Sequence, residues 1–129
     1  MKTERVFAVD DDESYRALLE LVLHTHCGVR DVRTFARGEQ AVVALCALPP
    51  AERPQLVLLD FHMPGLDGLG VLQALAAAGL QLAVVVLSNA AGPQERDACL
   101  AAGARAFLAK PSRVEDLAAA LRGLLEEHG

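Results

Sequence analysis

Lysine is nearly missing from this chain: Lys2 and Lys110 are its only two, and the other ten of its twelve basic residues are arginine. Basic charge is not in excess either. The formal net charge is −5, whereas a nucleic-acid surface should be basic, so direct nucleic-acid binding is not expected. Cysteine is scarce and poorly placed for cross-linking. Cys27, Cys46 and Cys99 are odd in number, widely spaced and in no Cys-x-x-Cys pair, which argues against a disulfide framework or a zinc site. They read as reduced, mostly buried thiols of a cytoplasmic protein. No apolar run approaches the ~20 residues needed to span a bilayer, and no basic stretch followed by an apolar one marks a signal peptide. Internal repeats, low-complexity segments and interdomain linkers are also missing. What remains is 129 residues, 53% of them apolar, enough for one domain over 1–129 that buries roughly two thirds of its unfolded surface.

Five strands alternate with five helices in the sequence pattern. The first strand is predicted at about Arg5–Val9, followed by a helix from about Glu13 to His26 with Gly28 just past its end. Val29–Phe35 is a weaker strand, interrupted by charges and therefore expected at a sheet edge. A helix over Gly38–Leu48 places Ala41, Val42, Leu45 and Leu48 on one side. The prolines of Pro49-Pro50-Ala51-Glu52-Arg53-Pro54 force a loop. Leu56–Asp60 is the most continuously apolar strand, and a helix after Met63-Pro64-Gly65-Leu66-Asp67-Gly68 runs to about Ala78, stopping at Gly79. Ala83–Leu87 is the fourth strand, Pro93 opens the fourth helix and Gly103 closes it. Arg105–Ala109 is the fifth strand. Ser112-Arg113-Val114-Glu115 has capping-box spacing for a last helix whose Leu117, Leu121, Leu124 and Leu125 face inward.

Four of these apolar runs stop at a polar residue suited to handling a phosphoryl group. Val6-Phe7-Ala8-Val9 runs into Asp10-Asp11-Asp12, Leu56-Val57-Leu58-Leu59 into Asp60, Val84-Val85-Val86-Leu87 into Ser88, and Ala106-Phe107-Leu108-Ala109 into Lys110. Strands separated by helices form a parallel sheet covered on both faces, and ligands bind beyond the carboxyl ends of its strands. Carboxylates, a hydroxyl and an ammonium therefore meet at one edge.

Consecutive aspartates repel one another unless a cation or protons relieve the charge. Asp10, Asp11 and Asp60 with room for water suit a hard cation such as magnesium, which prefers oxygen ligands. Asp12 and Glu13 are better explained as the cap and first turn of the first helix. In a chain that otherwise uses arginine, Lys110 suits a site needing a compact ammonium to reach one oxygen. Pro111 biases it toward extended backbone. Ser88 could donate a hydrogen bond to a phosphoryl oxygen; alone it would read as an ordinary loop serine.

At these residues the chain resembles the receiver domain of bacterial two-component response regulators. The stretches that carry the likeness are Val6-Phe7-Ala8-Val9-Asp10-Asp11-Asp12, Leu58-Leu59-Asp60-Phe61-His62-Met63-Pro64-Gly65-Leu66-Asp67-Gly68, Val86-Leu87-Ser88 and Ala106-Phe107-Leu108-Ala109-Lys110-Pro111. The resemblance implies an α/β, flavodoxin-like (βα)5 fold, a five-stranded parallel sheet in the order 2-1-3-4-5 with helices on both faces. It implies that Asp60 accepts a phosphoryl group from a histidine kinase or phosphorelay protein. Mg²⁺, or Mn²⁺ as a substitute, would be held directly by Asp11 and Asp60, through water by Asp10, and by the main-chain carbonyl of His62. Ser88 and Lys110 would meet the phosphoryl group, Ser88 and Phe107 would act as the switch, and the Lys110–Pro111 peptide bond would be cis. The output would be a protein-binding face made by the fourth helix, fifth strand and fifth helix. Such a receiver is not an enzyme beyond its own phosphotransfer and dephosphorylation. The chain would be either a stand-alone receiver or one excised from a longer regulator.

Three departures individualise this member. Phe107 has no hydroxyl, Asn89 is bulkier than the Ala or Gly common after the hydroxyl residue, and His62 lies two residues past Asp60, either influencing water at the site or simply exposed. His24 and His26 are expected to serve the C-terminus of their helix. A rival reading is a phosphohydrolase of the haloacid dehalogenase type using Asp10, since Asp10-Asp11-Asp12 contains an Asp-x-Asp. Such an enzyme needs a further acidic strand end after the lysine, yet Glu115 and Asp116 fall in a helix. A degenerate receiver acting only as a binding module is the third alternative.

Overall fold

The computed structural model describes residues 5–90 and 92–128. Its elements are β1 (Arg5–Val9), α1 (Glu13–Thr25), β2 (Asp31–Phe35), α2 (Gly38–Ala47), β3 (Leu56–Asp60), α3 (Gly68–Ala77), β4 (Val84–Ser88), α4 (Pro93–Ala101), β5 (Ala106–Ala109) and α5 (Val114–His128). The strands form one parallel sheet in the order β2-β1-β3-β4-β5. This is the expected α/β, flavodoxin-like arrangement.

Alternation along each strand divides the core into two. Val6, Ala8, Leu56, Leu58, Val85 and Leu87 point to the side covered by Leu19, Val22 and Leu23 of α1 and Leu117, Leu121 and Leu124 of α5. Phe7, Val9, Val57, Leu59, Val84 and Val86 point to the other side, against α2, α3 and α4. β3 and β4 are buried at every position, as central parallel strands must be when both faces are covered. Burying each such Leu or Val side chain contributes about 1.5–3 kcal/mol. β2 carries exposed Asp31 and Arg33 and is the edge strand its charges foretold.

Boundary differences have local causes. β2 begins at Asp31 rather than Val29 because the Val29 amide donates to the Leu23 carbonyl at 3.0 Å, closing α1 through Gly28 at φ 69°. β4 gains Ser88, which pairs with Ala109, and starts one residue after Ala83. The proline segment contains a single 3₁₀ turn over Pro50–Glu52, with Pro50 in the first position, where its missing amide is harmless. α5 begins at Val114, with the Arg113 carbonyl accepting from the Leu117 amide at 2.9 Å, so Ser112 does not stand at the cap. Glu115 instead lies 4.0 Å from Arg113 Nε. All three cysteines are free, but only Cys99 is buried; Cys27 is half-buried and Cys46 exposed on α2, so the expectation of mostly buried thiols holds for one of them. Among the described residues no helix is long and apolar enough to cross a membrane.

Candidate functional site

Register brings the four polar strand ends to one edge. Val9 pairs with Leu59, Asp60 with Leu87 and Ser88 with Ala109. Among the described residues, Asp10, Asp60 and Ser88 are the buried polar ones, at 2%, 5% and 2% exposure. The backbone of Asp10 is fixed on both sides: its amide donates to the Phe35 carbonyl at 3.0 Å, and its carbonyl accepts from Arg16 Nη1 at 2.7 Å. Its side chain is held too, Oδ1 by the Asp12 amide at 2.9 Å and Oδ2 by Lys110 Nζ at 2.7 Å. Asp60 is held more loosely, with Oδ1 at 3.3 Å from Lys110 Nζ.

Carboxylate oxygens of Asp10, Asp11 and Asp60 lie within 4.8 Å of one another, with Asp11 on the exposed side. Against three carboxylates stands one ammonium. Burial, then the charge of Asp10, pushes the Asp60 carboxyl up to about 6, with Lys110 opposing only in part. Burial pulls Lys110 down, but its hydrogen bond and attraction to Asp10, followed by those to Asp60, leave it raised. The crevice is therefore short of positive charge. An oxygen-only donor set with one open, exposed side is what a hard divalent cation with retained waters requires, so the residues fit such an ion.

The loops around this edge are built for close approach. A Cβ on Gly68 would lie 2.9 Å from the Asp60 carbonyl oxygen and 2.9 Å from Phe61 Cα. Glycine thus lets α3 start directly against the residue after Asp60, where the Gly68 amide donates to the Phe61 carbonyl at 2.9 Å. Glu39 of α2 accepts the Leu66 amide at 3.3 Å and pins the β3–α3 loop from outside. Asp12 caps α1 by accepting from Ser14 N and Tyr15 N, as expected. His26 stands at the C-cap of α1, while the His24 ring meets the Val29 carbonyl at 2.8 Å.

Among the described residues, Ser88 Oγ is buried with no hydrogen-bond partner. Such an orphan costs about 1–3 kcal/mol, a cost expected where a partner arrives later. Beside it, a cavity of about 480 Å³ is lined by Ser88, Asn89, Ala90, Gly92, Pro93, Arg96, Phe107 and Ala109. Half-buried Phe107 packs edge-on against Phe61, with centroids 6.0 Å apart. His62 is exposed, yet it is tied down by a 2.7 Å contact from Nε2 to the Ala90 carbonyl.

One expectation is corrected. Among the described residues no peptide bond is cis, so Lys110–Pro111 is trans. The trans form of an X–Pro bond is favoured by about 0.5–1 kcal/mol. Here it already lets Lys110 reach both carboxylates, while the Pro111 carbonyl accepts from Tyr15 Oη at 3.0 Å.

Tyr15, Arg16 and Glu39 are site neighbours that sequence reasoning missed. A usable signal existed for the first, since Tyr15 is the chain's single tyrosine and falls in the first turn after the aspartates. None existed for Glu39, which looks like any exposed helical acid.

The family model for the response regulator receiver domain matches residues 6–122. The chain belongs to this family. Among curated relatives it is 36% identical over 125 residues to the transcriptional regulatory protein PrrA of Mycobacterium tuberculosis, covering 97% of this chain and 51% of that protein. The chain spans about half the length of the curated relatives it matches. Among solved receivers, the signal receiver domain of NarL from Mycobacterium tuberculosis is 27% identical with a TM-score of 0.80, covering 98% of each chain. The Mn²⁺-bound form of response regulator Rcp1 is 25% identical with a TM-score of 0.78, covering 94% of this chain and 91% of that one. Receiver membership, together with Glu115 and Asp116 lying exposed in the first turn of α5, leaves the haloacid-dehalogenase alternative without support.

Proposed function

We propose that residues 1–129 are one receiver domain in which Asp60 takes a phosphoryl group from the phosphohistidine of a sensor kinase or phosphorelay protein, or from a small phosphodonor. The observation that carries this reading is the unequal grip of Lys110. Lys110 grips Asp10 Oδ2 at 2.7 Å while the Asp12 amide holds Oδ1 at 2.9 Å, whereas Lys110 meets Asp60 at 3.3 Å with the Asp60 carboxyl raised. Asp60 is thus the carboxylate free to act as nucleophile, and Asp10 the anchor.

Asp11 and Asp60, with Asp10 through water and the main-chain carbonyl of His62, would hold Mg²⁺ (Mn²⁺ as substitute). That ion would supply neutralisation of the negative charge on the transferred phosphoryl group. Lys110 stays charged in the crevice and neutralises one phosphoryl oxygen, turning from Asp10 to do so. Ser88 Oγ, without a partner beforehand, donates to another. In-line attack by an Asp60 oxygen forms the acyl phosphate and releases the donor's histidine.

With Ser88 drawn toward Asp60, Phe107 moves into the adjoining cavity by ring packing alone and reshapes the face made by α4, β5 and α5. A downstream protein reads that face, in the cytoplasm, without membrane or direct nucleic-acid contact by these residues. The domain turns over its own phosphoryl group and no other substrate. Intact mass after acetyl phosphate treatment tests the assignment. Wild type gains one phosphoryl group only with Mg²⁺ or Mn²⁺, and Asp60→Asn gains none; a full adduct on Asp60→Asn would overturn it.

A further inference from the structure

Lys110 has a neighbour that the phosphotransfer reading does not use. Its ammonium lies 4.7 Å from the centroid of the Tyr15 ring, over the ring face. An ammonium carries three donors. Asp10 and Asp60 supply oxygens for two of them, and the third has an aromatic face within cation–π range. The same tyrosine reaches the loop that carries Lys110 by a second route, because its hydroxyl donates to the Pro111 carbonyl at 3.0 Å across 96 residues of sequence. Burial first, then the charges of Asp10 and Asp60, push the phenol up to about 12, so the hydroxyl keeps the proton it donates.

We propose that Tyr15 is a positioning residue for Lys110: its ring forms one wall of the ammonium's seat, and its hydroxyl fixes the β5–α5 loop on which Lys110 stands. The need follows from the lysine side chain, a flexible four-carbon stem that makes a poor fixed donor unless something restricts it. A hydrogen-bonding partner would restrict it but would also hold it in one direction. A ring face attracts the charge without fixing a direction, so the ammonium can turn from Asp10 toward a phosphoryl oxygen while remaining over the crevice. α1 is a good base for the seat, because its first turn is capped by Asp12 immediately beside Asp10.

The proposal rests on the phosphoacceptor reading of Asp60, and its test separates the two. Because the chain has only Lys2 and Lys110, isotope-labelled lysine gives two sets of side-chain NMR signals. The ε-methylene protons of Lys110 should be displaced upfield by the Tyr15 ring. Tyr15→Phe keeps that displacement and Tyr15→Leu abolishes it. In parallel, phosphoryl uptake from acetyl phosphate with Mg²⁺ should slow by about tenfold in Tyr15→Leu and by no more than about threefold in Tyr15→Phe. Uptake by Tyr15→Leu at the wild-type rate overturns the proposal and leaves the receiver reading intact. So does slowed uptake with unmoved Lys110 signals, since the tyrosine would then act only on the fold. A wild type that takes up no phosphoryl group overturns the receiver reading and, with it, the role assigned to Tyr15.

Discussion

His62 donates from Nε2 to the carbonyl oxygen of Ala90 at 2.7 Å. A carbonyl can only accept, so the proton is on Nε2 and Nδ1 is left as the other ring position. The contact joins the loop after β3 to the loop after β4 across the mouth of the Asp60 crevice. The ring is steadied from below by an edge-on contact with Phe61, centroids 4.8 Å apart. An exposed histidine two residues past the acceptor therefore serves as a latch on the segment that follows Ser88.

Removing the latch should loosen that segment without unfolding the domain. His62→Ala should speed hydrogen exchange of the Asn89 and Ala90 amides by about fivefold, the worth of one ordinary hydrogen bond. Exchange unchanged at both amides would show that the contact carries no weight.

The phosphoryl group should be relatively long-lived. Ala90 has no polar side chain to orient an attacking water, and Asn89, which lines the cavity beside Ser88, should narrow the approach. Asn89→Ala should speed both uptake from small phosphodonors and hydrolysis by roughly twofold to fivefold, because one opening serves both. If both rates stay put while His62→Ala slows hydrolysis, a water held by His62 is the controlling feature instead.

Stability of the metal-free protein should depend on pH through Asp60. Its carboxyl is raised from 3.8 to about 6 in the folded state, so the folded state holds a proton that the unfolded chain has lost between those values. Stability from this group is fully present below pH 4 and is lost as pH rises through about 6. Asp60→Asn should therefore unfold at higher denaturant than wild type above pH 6, by about 1–3 kcal/mol, and match it near pH 4. Equal midpoints at pH 7.5 without metal would contradict this.

Divalent metal should offset the same charge excess. Adding Mg²⁺ at about 100 times its dissociation constant should stabilise wild type by about 2.7 kcal/mol, and chelation should reverse it. Asp11→Asn should lose most of that gain while keeping its metal-free stability, since Asp11 is exposed. A full Mg²⁺ response in Asp11→Asn would remove it from the ligand set.

Beryllofluoride, which mimics the phosphoryl group, should move amide resonances through α4 and at Phe107, and leave α2 largely unchanged. The change selects an existing minor state, so the ligand must bind that state more tightly. Phe107→Ala should bind beryllofluoride yet show a reduced response across α4. Loss of binding itself in Phe107→Ala would place the ring in the site rather than in its output.

The sheet and its polar edge were legible because central parallel strands, buried on both faces, are written as unbroken apolar runs. The residue that ends each run therefore announces itself. Asp10, Asp60, Ser88 and Lys110 were readable for that reason, and Asp12 was readable as a cap because capping is a local hydrogen bond. Local signals failed where local groups had other partners. Val29 looked like strand but spends its amide on Leu23, and Ser112 looked like a cap but precedes a helix that starts from Arg113.

Sequence by itself determined which chemical groups this protein has and, through strand periodicity, which edge of the sheet they occupy. Only tertiary structure decided how those groups share one another. It set Lys110 closer to Asp10 than to Asp60, left Ser88 Oγ without a partner, latched His62 to Ala90 and placed Tyr15 beneath an ammonium far away in sequence. The physical reason is range. Periodicity and capping act within a few residues and are written in order along the chain. The division of charge among three carboxylates and one lysine turns on the difference between a 2.7 Å and a 3.3 Å contact made from separate loops, and that difference exists only once both halves of the core have closed.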